Sequence, residues 1–176
     1  MKDKRKSISK IYLDMDGVLA DFNRGVRELC GFEAPDQSEK RTAEEESRMW
    51  ADIGKVDHFY GKLEMMPGAK VLFDTIWNAY GNRCEILTGI PRPERSLRTA
   101  GDDKKEWVKR LLSPDVKVNI CFRAEKIERC TGPETILIDD LDRTILEWRK
   151  KGGTGILHET AEKTLAELRN MGVLEK

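Results

Sequence analysis

Residues 11–22 read "IYLDMDGVLADF", and this stretch decides how the rest of the chain is understood. Ile11, Tyr12 and Leu13 form an apolar, β-prone run of the kind that is buried in a sheet. The run breaks at Asp14-Met15-Asp16-Gly17. Two carboxylates, one residue apart, stand at the mouth of a core strand, followed by the residue most tolerant of a sharp backbone turn. Carboxylates so close to a core need compensating partners.

Working outward, the first strand falls within "ISKIYLDM" (8–15), and four more strands are expected at 84–88 (CEILT), 116–122 (VKVNICF), 135–139 (TILID) and 154–158 (TGILH). Several are nearly continuous apolar runs, as expected for strands covered on both faces. Helical periodicity fills the gaps. "AKVLFDTIWNAYGN" aligns Leu72, Ile76 and Tyr80 and stops at Gly81-Asn82. "DDKKEWVKRLL" carries Trp107, Val108, Leu111 and Leu112. "LDRTILEWRKKGG" aligns Leu141, Ile145 and Trp148, and "ETAEKTLAELRN" aligns Ala161, Leu165 and Leu168. This alternation predicts the α/β class, a Rossmann-like parallel sheet sandwiched by helices.

One interval breaks the rhythm. Roughly 70 residues separate the first two strands, too many for a single crossover helix. Phe22, Val26 and Leu29 have helical spacing, and "TAEE" at 42–45 reads as a capping box leading to Met49, Trp50 and Ile53. "HFYGKLEMMPGA" then returns the chain to the core. The expected organisation is a core of residues 1–21 and 67–176 with a small helical cap, 22–66, inserted after the first strand.

The bulk properties bound the function. The chain has 176 residues, 39% hydrophobic and 36% charged, with 32 Lys+Arg against 32 Asp+Glu. A formal net charge of zero offers no global attraction to a nucleic acid polymer or an anionic membrane. The basic start "MKDKRK" is not followed by a long apolar stretch, and no run of about 18 apolar residues occurs. Cys30, Cys84, Cys121 and Cys130 show no CxxC spacing, so zinc is not expected and a reduced, cytoplasmic chain is. His58 and His158 have no triad-like spacing and are read as structural.

In an open parallel sheet, ligands bind outside the carboxyl ends of the strands. Asp14 and Asp16 follow strand one, Thr88-Gly89 follows "CEIL", and Asp139-Asp140 follows "TILI", while Lys104-Lys105 opens the helix before the third strand. Four carboxylates at one edge repel unless a cation sits among them. Hard oxygen donors without His or Cys favour Mg²⁺. With a lysine, a threonine hydroxyl and backbone N–H groups, the set describes a phosphate environment. There one carboxylate can be a nucleophile and the other a general acid–base. Taken singly, the Asp139-Asp140 pair could instead cap the next helix, and Thr88 or Lys104 could be a strand-end or a solvated residue. The ordered set carries the reading.

"DMDGVLADF", "LTGIP", "KKEWV" and "ILIDD" resemble, in order, the four motifs of the haloacid dehalogenase superfamily. Phe59-Tyr60, Pro67-Gly68-Ala69 and a Lys three residues before a Trp (Lys104) resemble the 5′(3′)-deoxyribonucleotidase-like group within it. The resemblance implies that Asp14 forms an aspartyl-phosphate and that Asp16 protonates the leaving alkoxide and then activates water. It implies that Mg²⁺ is held by Asp14, the Asp16 backbone carbonyl, Asp139 and Asp140, with Asp139 the favoured direct ligand. It further implies that Thr88 and the Gly89 N–H hold phosphate oxygens, that Lys104 neutralises the phosphate with Lys105 as fallback, and that Lys126 adds a second positive contact. The Asp16 position argues against dehalogenation and against the slow phosphoenzymes of transport ATPases, which carry Thr there.

The expected substrate is a small phosphorylated compound, first a nucleoside monophosphate held against Phe22, Trp50, Phe59 or Tyr60, which could equally pack the cap's own core. A sugar phosphate or other small phosphoester is the alternative, and a non-catalytic phosphate-binding module a third. A response-regulator receiver domain is disfavoured by the order of its Lys and acidic pair and by the large insert. The basic segment "PRPERSLRTAGDD", with Arg92, Arg95 and Arg98, is expected to be a loop. Monomer and homodimer both remain open.

Overall fold

The computed structural model describes residues 7–31 and 42–175. Strand β1 (Lys10–Leu13) is central because its side chains must be covered on both sides. Ile11 and Leu13 enter one apolar cluster, and Tyr12 enters a second on the opposite face. The same alternation recurs in β2 (Cys84–Gly89), where Ile86 and Leu87 face opposite ways, and in β4 (Thr135–Asp139), where Ile136 and Ile138 oppose Leu137. With β3 (Val118–Cys121) and β5 (Thr154–Leu157) they form one sheet in the order β3-β2-β1-β4-β5, every pairing parallel. The expected α/β class is therefore present, with each expected strand within two residues or so of its predicted bounds.

Helices α1 (Phe22–Cys30) and α2 (Ala43–Ile53) belong to the inserted segment; α3 (Ala69–Tyr80), α4 (Ala100–Leu111), α5 (Asp142–Lys150) and α6 (Ala161–Asn170) belong to the sheet. Leu72, Phe73 and Ile76 of α3, Trp107 and Val108 of α4, and Leu165 and Leu168 of α6 share the larger cluster with Ile11 and Leu13. Ile145 and Trp148 of α5 share the smaller one with Tyr12, whose ring meets Trp148 edge-on at 5.9 Å. The chain leaves β1 toward β2 and leaves β4 toward β5, on opposite sides. The crevice between the carboxyl ends of β1 and β4 is thus the topological switch point where such sheets bind ligands.

The inserted segment departs and returns at one place. After β1, Leu19 N and Ala20 N both donate to Met15 O at 2.8 Å. Ala20 pairs with Met65 in an antiparallel bridge, Met66 N donates to Leu19 O and Asp21 N donates to Glu64 O, both at 2.8 Å. The capping box is formed: Thr42 Oγ1 accepts from Glu45 N, and Glu45 Oε2 accepts from Thr42 N. A short 3₁₀ helix, Phe59–Lys62, then packs on α4, where Trp107 Nε1 donates to Leu63 O at 2.8 Å and Arg110 Nη2 donates to Gly61 O at 2.7 Å.

Two expectations change. Leu29 is exposed, and Gly25 holds the buried position on α1 because Leu63 fills that space: a Cβ on Gly25 would lie 2.2 Å from Leu63 Cδ2. The basic segment is not all loop. A 3₁₀ turn forms at Pro93–Arg95, and α4 begins at Ala100, its first turn tied by Asp103 N donating to Thr99 O and Thr99 Oγ1 donating to Asp103 Oδ2. The N-terminal basic run and residues 32–41 of the expected cap lie outside the described residues. Among the described residues no helix is long and apolar enough to cross a membrane.

Trp107 is wholly buried, and its side chain both fills the core and bonds the inserted segment. Trp107→Phe keeps an aromatic ring but strands the buried Leu63 carbonyl, for an expected cost of about 1–3 kcal/mol. Trp107→Ala adds a cavity and costs about 3–5 kcal/mol. Urea unfolding of the two variants measures both, and a Trp107→Phe variant as stable as the unaltered protein would show that the Leu63 bond contributes nothing of its own.

Candidate active site

Every strand that ends at the switch point delivers a polar group there, and the groups sort into two sets around two buried lysines. Asp14, the residue after β1, is buried; its Oδ1 accepts from Met15 N at 2.8 Å and from Lys126 Nζ at 2.9 Å. Asp139, at the end of β4, is wholly buried; its Oδ2 accepts from Lys126 Nζ at 2.8 Å and its Oδ1 from Leu141 N at 2.9 Å. Lys126 comes from the 3₁₀ helix Arg123–Arg129 after β3 and bridges the two carboxylates. Asp140 completes this set, since Asp14, Asp139 and Asp140 each offer a carboxylate oxygen within 4.8 Å of the others.

The second set centres on Lys104 of α4, which has no exposed surface. Its Nζ donates to Asp16 Oδ2 at 2.6 Å, Thr88 Oγ1 at 2.9 Å and Gly89 O at 2.7 Å, and lies 4.4 Å above the Tyr60 ring. Asp16 Oδ1 is buried without a hydrogen-bond partner among the described residues. A buried, orphaned carboxylate oxygen marks a place where something else is meant to bond.

Gly17 makes the turn between the sets possible. Its φ is +78°, and a Cβ there would stand 2.0 Å from Asp140 Oδ2. The glycine is thus required both by backbone conformation and by the close approach of a carboxylate.

The electrostatics follow from burial. Four carboxylates (Asp14, Asp16, Asp139, Asp140) face two ammonium groups (Lys104, Lys126), two negative charges in excess that a divalent cation would balance. Burial, reinforced by the Asp14 charge and only partly offset by Lys126, pushes the Asp139 carboxyl up to about 6. Burial also raises Asp16, against the pull of Lys104 and with the help of Asp14. Burial works against charge on Lys126, but the Asp14 and Asp139 carboxylates outweigh it and hold the ammonium well above its ordinary value. Carboxyls raised in spite of adjacent lysines are short of positive charge. An all-oxygen donor set of this charge fits Mg²⁺.

The residues singled out in the sequence, Asp14, Asp16, Thr88, Gly89, Lys104, Asp139 and Asp140, therefore meet at one sheet edge. The Asp16 side chain stands with Lys104, apart from the three-carboxylate cluster. Gly89 here offers its carbonyl, to Lys104. Lys105 is exposed and turned to Asp102 at 3.9 Å. Lys126 is more central than its sequence setting suggests. It lies in the charged run "RAEKIER", inside the 3₁₀ helix that follows β3. The aromatics form one cluster in which Phe22 lies 6.0 Å from Trp50, 5.7 Å from Phe59 and 6.3 Å from Tyr60, with Phe59 and Tyr60 almost wholly buried. Two surface depressions, of about 260 and 340 Å³, lie elsewhere, and of these residues only Lys105 lines one, the first.

No family model matches the sequence, and no curated protein matches it. Solved structures do. An uncharacterized protein from Corynebacterium glutamicum ATCC 13032 Kitasato is similar over 96% of this chain and 98% of its own, with 14% identity and a TM-score of 0.50. A hydrolase from Streptococcus pneumoniae TIGR4 (12% identity, 94% and 98% of the two chains) and the HAD domain of the effector protein Lem4 from Legionella pneumophila, an inactive mutant (14%, 94% and 96%), give TM-scores of 0.46 and 0.43. At these identities the likeness is one of fold. The chemistry must be argued from the residues.

Gly17→Ala tests the turn. The positive φ costs about 1–3 kcal/mol, and the new methyl displaces Asp140. Calorimetric titration with Mg²⁺ should show weakened affinity alongside a lowered melting temperature. Unchanged affinity would remove Asp140 from the cation site.

Proposed function

We propose that this chain is a Mg²⁺-dependent phosphomonoesterase of the haloacid dehalogenase type that works through a phosphoaspartate at Asp14. The observation that carries the reading is the separation of two neighbouring aspartates into two environments. Asp14 is held between Lys126 and a backbone N–H. Asp16 is raised by burial and keeps one oxygen without a partner. Two carboxyls set in such unlike surroundings are a usual basis of divided nucleophile and acid–base roles.

In this mechanism Lys104 and Thr88 hold the oxygens of an incoming phosphate at the end of β2. The Asp14 carboxylate attacks phosphorus as the alkoxide leaves. Asp16, protonated, gives its proton to the departing oxygen. It then takes a proton from the water that attacks the phosphoaspartate, so inorganic phosphate leaves and Asp14 is restored. Lys126 keeps Asp14 aimed throughout. Asp14, Asp139, Asp140 and the Asp16 backbone carbonyl would hold Mg²⁺, which supplies positive charge to the phosphoryl oxygens when bound.

Residues 22–66 act as the cap. The first substrate reading is a nucleoside monophosphate, as for a 5′(3′)-deoxyribonucleotidase, supported by the aromatic cluster that reaches Lys104 through Tyr60. A second reading, a sugar phosphate or other small phosphoester, is favoured by the burial of Phe59 and Tyr60, which pack edge to face at 5.3 Å and so serve as core. Four free cysteines support a reducing, cytoplasmic setting.

Turnover of p-nitrophenyl phosphate should require Mg²⁺ and vanish in excess EDTA. Asp14→Asn should lower kcat by on the order of 10⁴ or more, as when a covalent nucleophile is removed. Asp16→Asn should be nearly as damaging for an alkyl phosphate but milder for the aryl ester, whose leaving group needs little protonation. Near-normal turnover by Asp14→Asn would reduce the acidic cluster to a cation site. Trp50→Ala should raise KM for a nucleotide more than for the aryl ester if the base lies against it.

A further inference from the structure

The loop between Gly89 and α4 carries three arginines that the reaction above does not use. Arg92 and Arg98 are exposed, and among the described residues no hydrogen bond or ion pair engages them. Arg95 is engaged, and by the segment opposite. Its Nη2 donates to Glu46 Oε1 on α2 at 2.6 Å, and its guanidinium lies 4.1 Å above the Trp50 ring. Trp50 Nε1 donates to the same Glu46 oxygen at 3.3 Å. A guanidinium and an indole N–H thus converge on one carboxylate oxygen, in the arrangement that recognises an anion.

Three further facts relate this spot to the reaction. The pair is substantially exposed, 30% at Arg95 and 48% at Glu46, so it is screened and weak and can exchange partners. Trp50, Phe22 and Tyr60 form a continuous aromatic wall from Arg95 to the ring under Lys104. The Arg95 charge acts on the Tyr60 hydroxyl, as the charges of Asp16 and Asp14 do, after the larger effect of burial. One face of Trp50 is already covered by the guanidinium, which leaves that face unavailable for stacking.

We propose that Arg95, with Trp50 Nε1, is the subsite for the end of the substrate remote from the scissile phosphate, that the group read there is a second anion, phosphate or carboxylate, and that Glu46 occupies the subsite until the substrate displaces it. Arg95 is then the specificity-determining residue, and the substrate class is a phosphomonoester bearing a distal negative charge. Arg92 and Arg98 add positive potential around the same loop. The inference rests on the phosphomonoesterase reading and narrows its substrate.

The test uses the full chain with Mg²⁺ and four substrates: p-nitrophenyl phosphate, a nucleoside 5′-monophosphate, a nucleoside 3′,5′-bisphosphate and a phosphorylated aldonic acid. The proposal expects kcat/KM for one of the two doubly anionic substrates to exceed that of the monophosphate by ~10-fold or more, the bisphosphate arm reporting a distal phosphate and the aldonic acid arm a carboxylate. Arg95→Ala should lower kcat/KM for that substrate, through KM, by ~10-fold more than for p-nitrophenyl phosphate. Glu46→Gln should act in the opposite direction and lower KM for it, because the internal competitor is gone. A merely structural clasp predicts losses for both variants, equal on all substrates, and that result overturns the proposal while leaving the phosphatase intact. Preference for neither doubly anionic substrate overturns it too. Absence of p-nitrophenyl phosphate turnover in the unaltered protein overturns the phosphatase reading and this subsite with it.

Discussion

Two lysine side chains, Lys104 and Lys126, are removed from water at the carboxyl edge of the sheet, and the rest of the molecule is arranged so that they can be. An ammonium group tolerates such burial only when its hydrogen bonds are met and its charge is answered. Lys126 is answered by Asp14 and Asp139, from the ends of two adjacent strands. Lys104 is answered by Asp16, with Thr88 and Gly89 O completing its three bonds. The partners arrive from the ends of three strands, so the pairings hold only if β1, β2 and β4 are in register and both the 3₁₀ helix after β3 and α4 stand where they do. The polar edge is therefore a strict condition on the fold.

The same arrangement explains why the two aspartates lie one residue apart. Asp14 continues the line of β1 and meets the lysine that comes from beyond β3. Asp16 lies past the bend that begins at Met15, whose carbonyl accepts from Leu19 N and Ala20 N, and meets the lysine of α4. A single intervening residue, Met15, has its side chain wholly buried in the core and so anchors the bend from beneath. Gly17 follows because the bend brings the backbone against Asp140, with no room for a Cβ. The tetrapeptide thus encodes two carboxylates in unlike surroundings, which one strand end could not provide with adjacent residues facing opposite sides of the sheet.

Much of this was legible in the sequence because the governing signals are local. Continuous apolar runs marked the strands, and the residues after them marked the edge; Asp14, Asp16, Thr88, Asp139 and Asp140 all fell to that rule. The rest is set by tertiary contacts. Leu29 has the spacing of a buried residue on α1, but Leu63, distant in sequence, fills that space and lets only Gly25 approach. Lys126 sits in a run of charges whose pattern is that of a solvated surface, and only the pairing of β1 with β4 shows that two carboxylates await it. Lys104 and Lys105 are neighbours with the same side chain, and the helical phase that buries one and exposes the other is set by Trp107 and Val108 packing one turn on. The loop before α4 read as unstructured because Thr99 and Asp103, which bond each other to start the helix, are weak helix formers by propensity alone.

How the inserted segment is held follows from comparing its attachments. On the α4 side it is held by the Trp107 bond to Leu63, by Arg110 on Gly61, by His58 Nδ1 at 2.7 Å from the buried Asp103 carboxylate, and by Phe59 and Tyr60 sunk in the core. Burying two large aromatic rings alone is worth several kcal/mol, about 1.5–3 each. On the α2 side the described contact with the loop after β2 is the exposed Arg95–Glu46 pair with its Trp50 stack, and such pairs contribute about 0–1 kcal/mol. The 3₁₀ helix at Phe59–Lys62 is thus held on α4, and with it the Tyr60 ring that lies over Lys104, whereas α2 is held through Met49 and Ile53, wholly buried in the same core, and meets the loop through the weaker, exposed pair. The ring over the buried lysine is therefore fixed by the stronger of two seams in one segment, and the exposed arginine by the weaker.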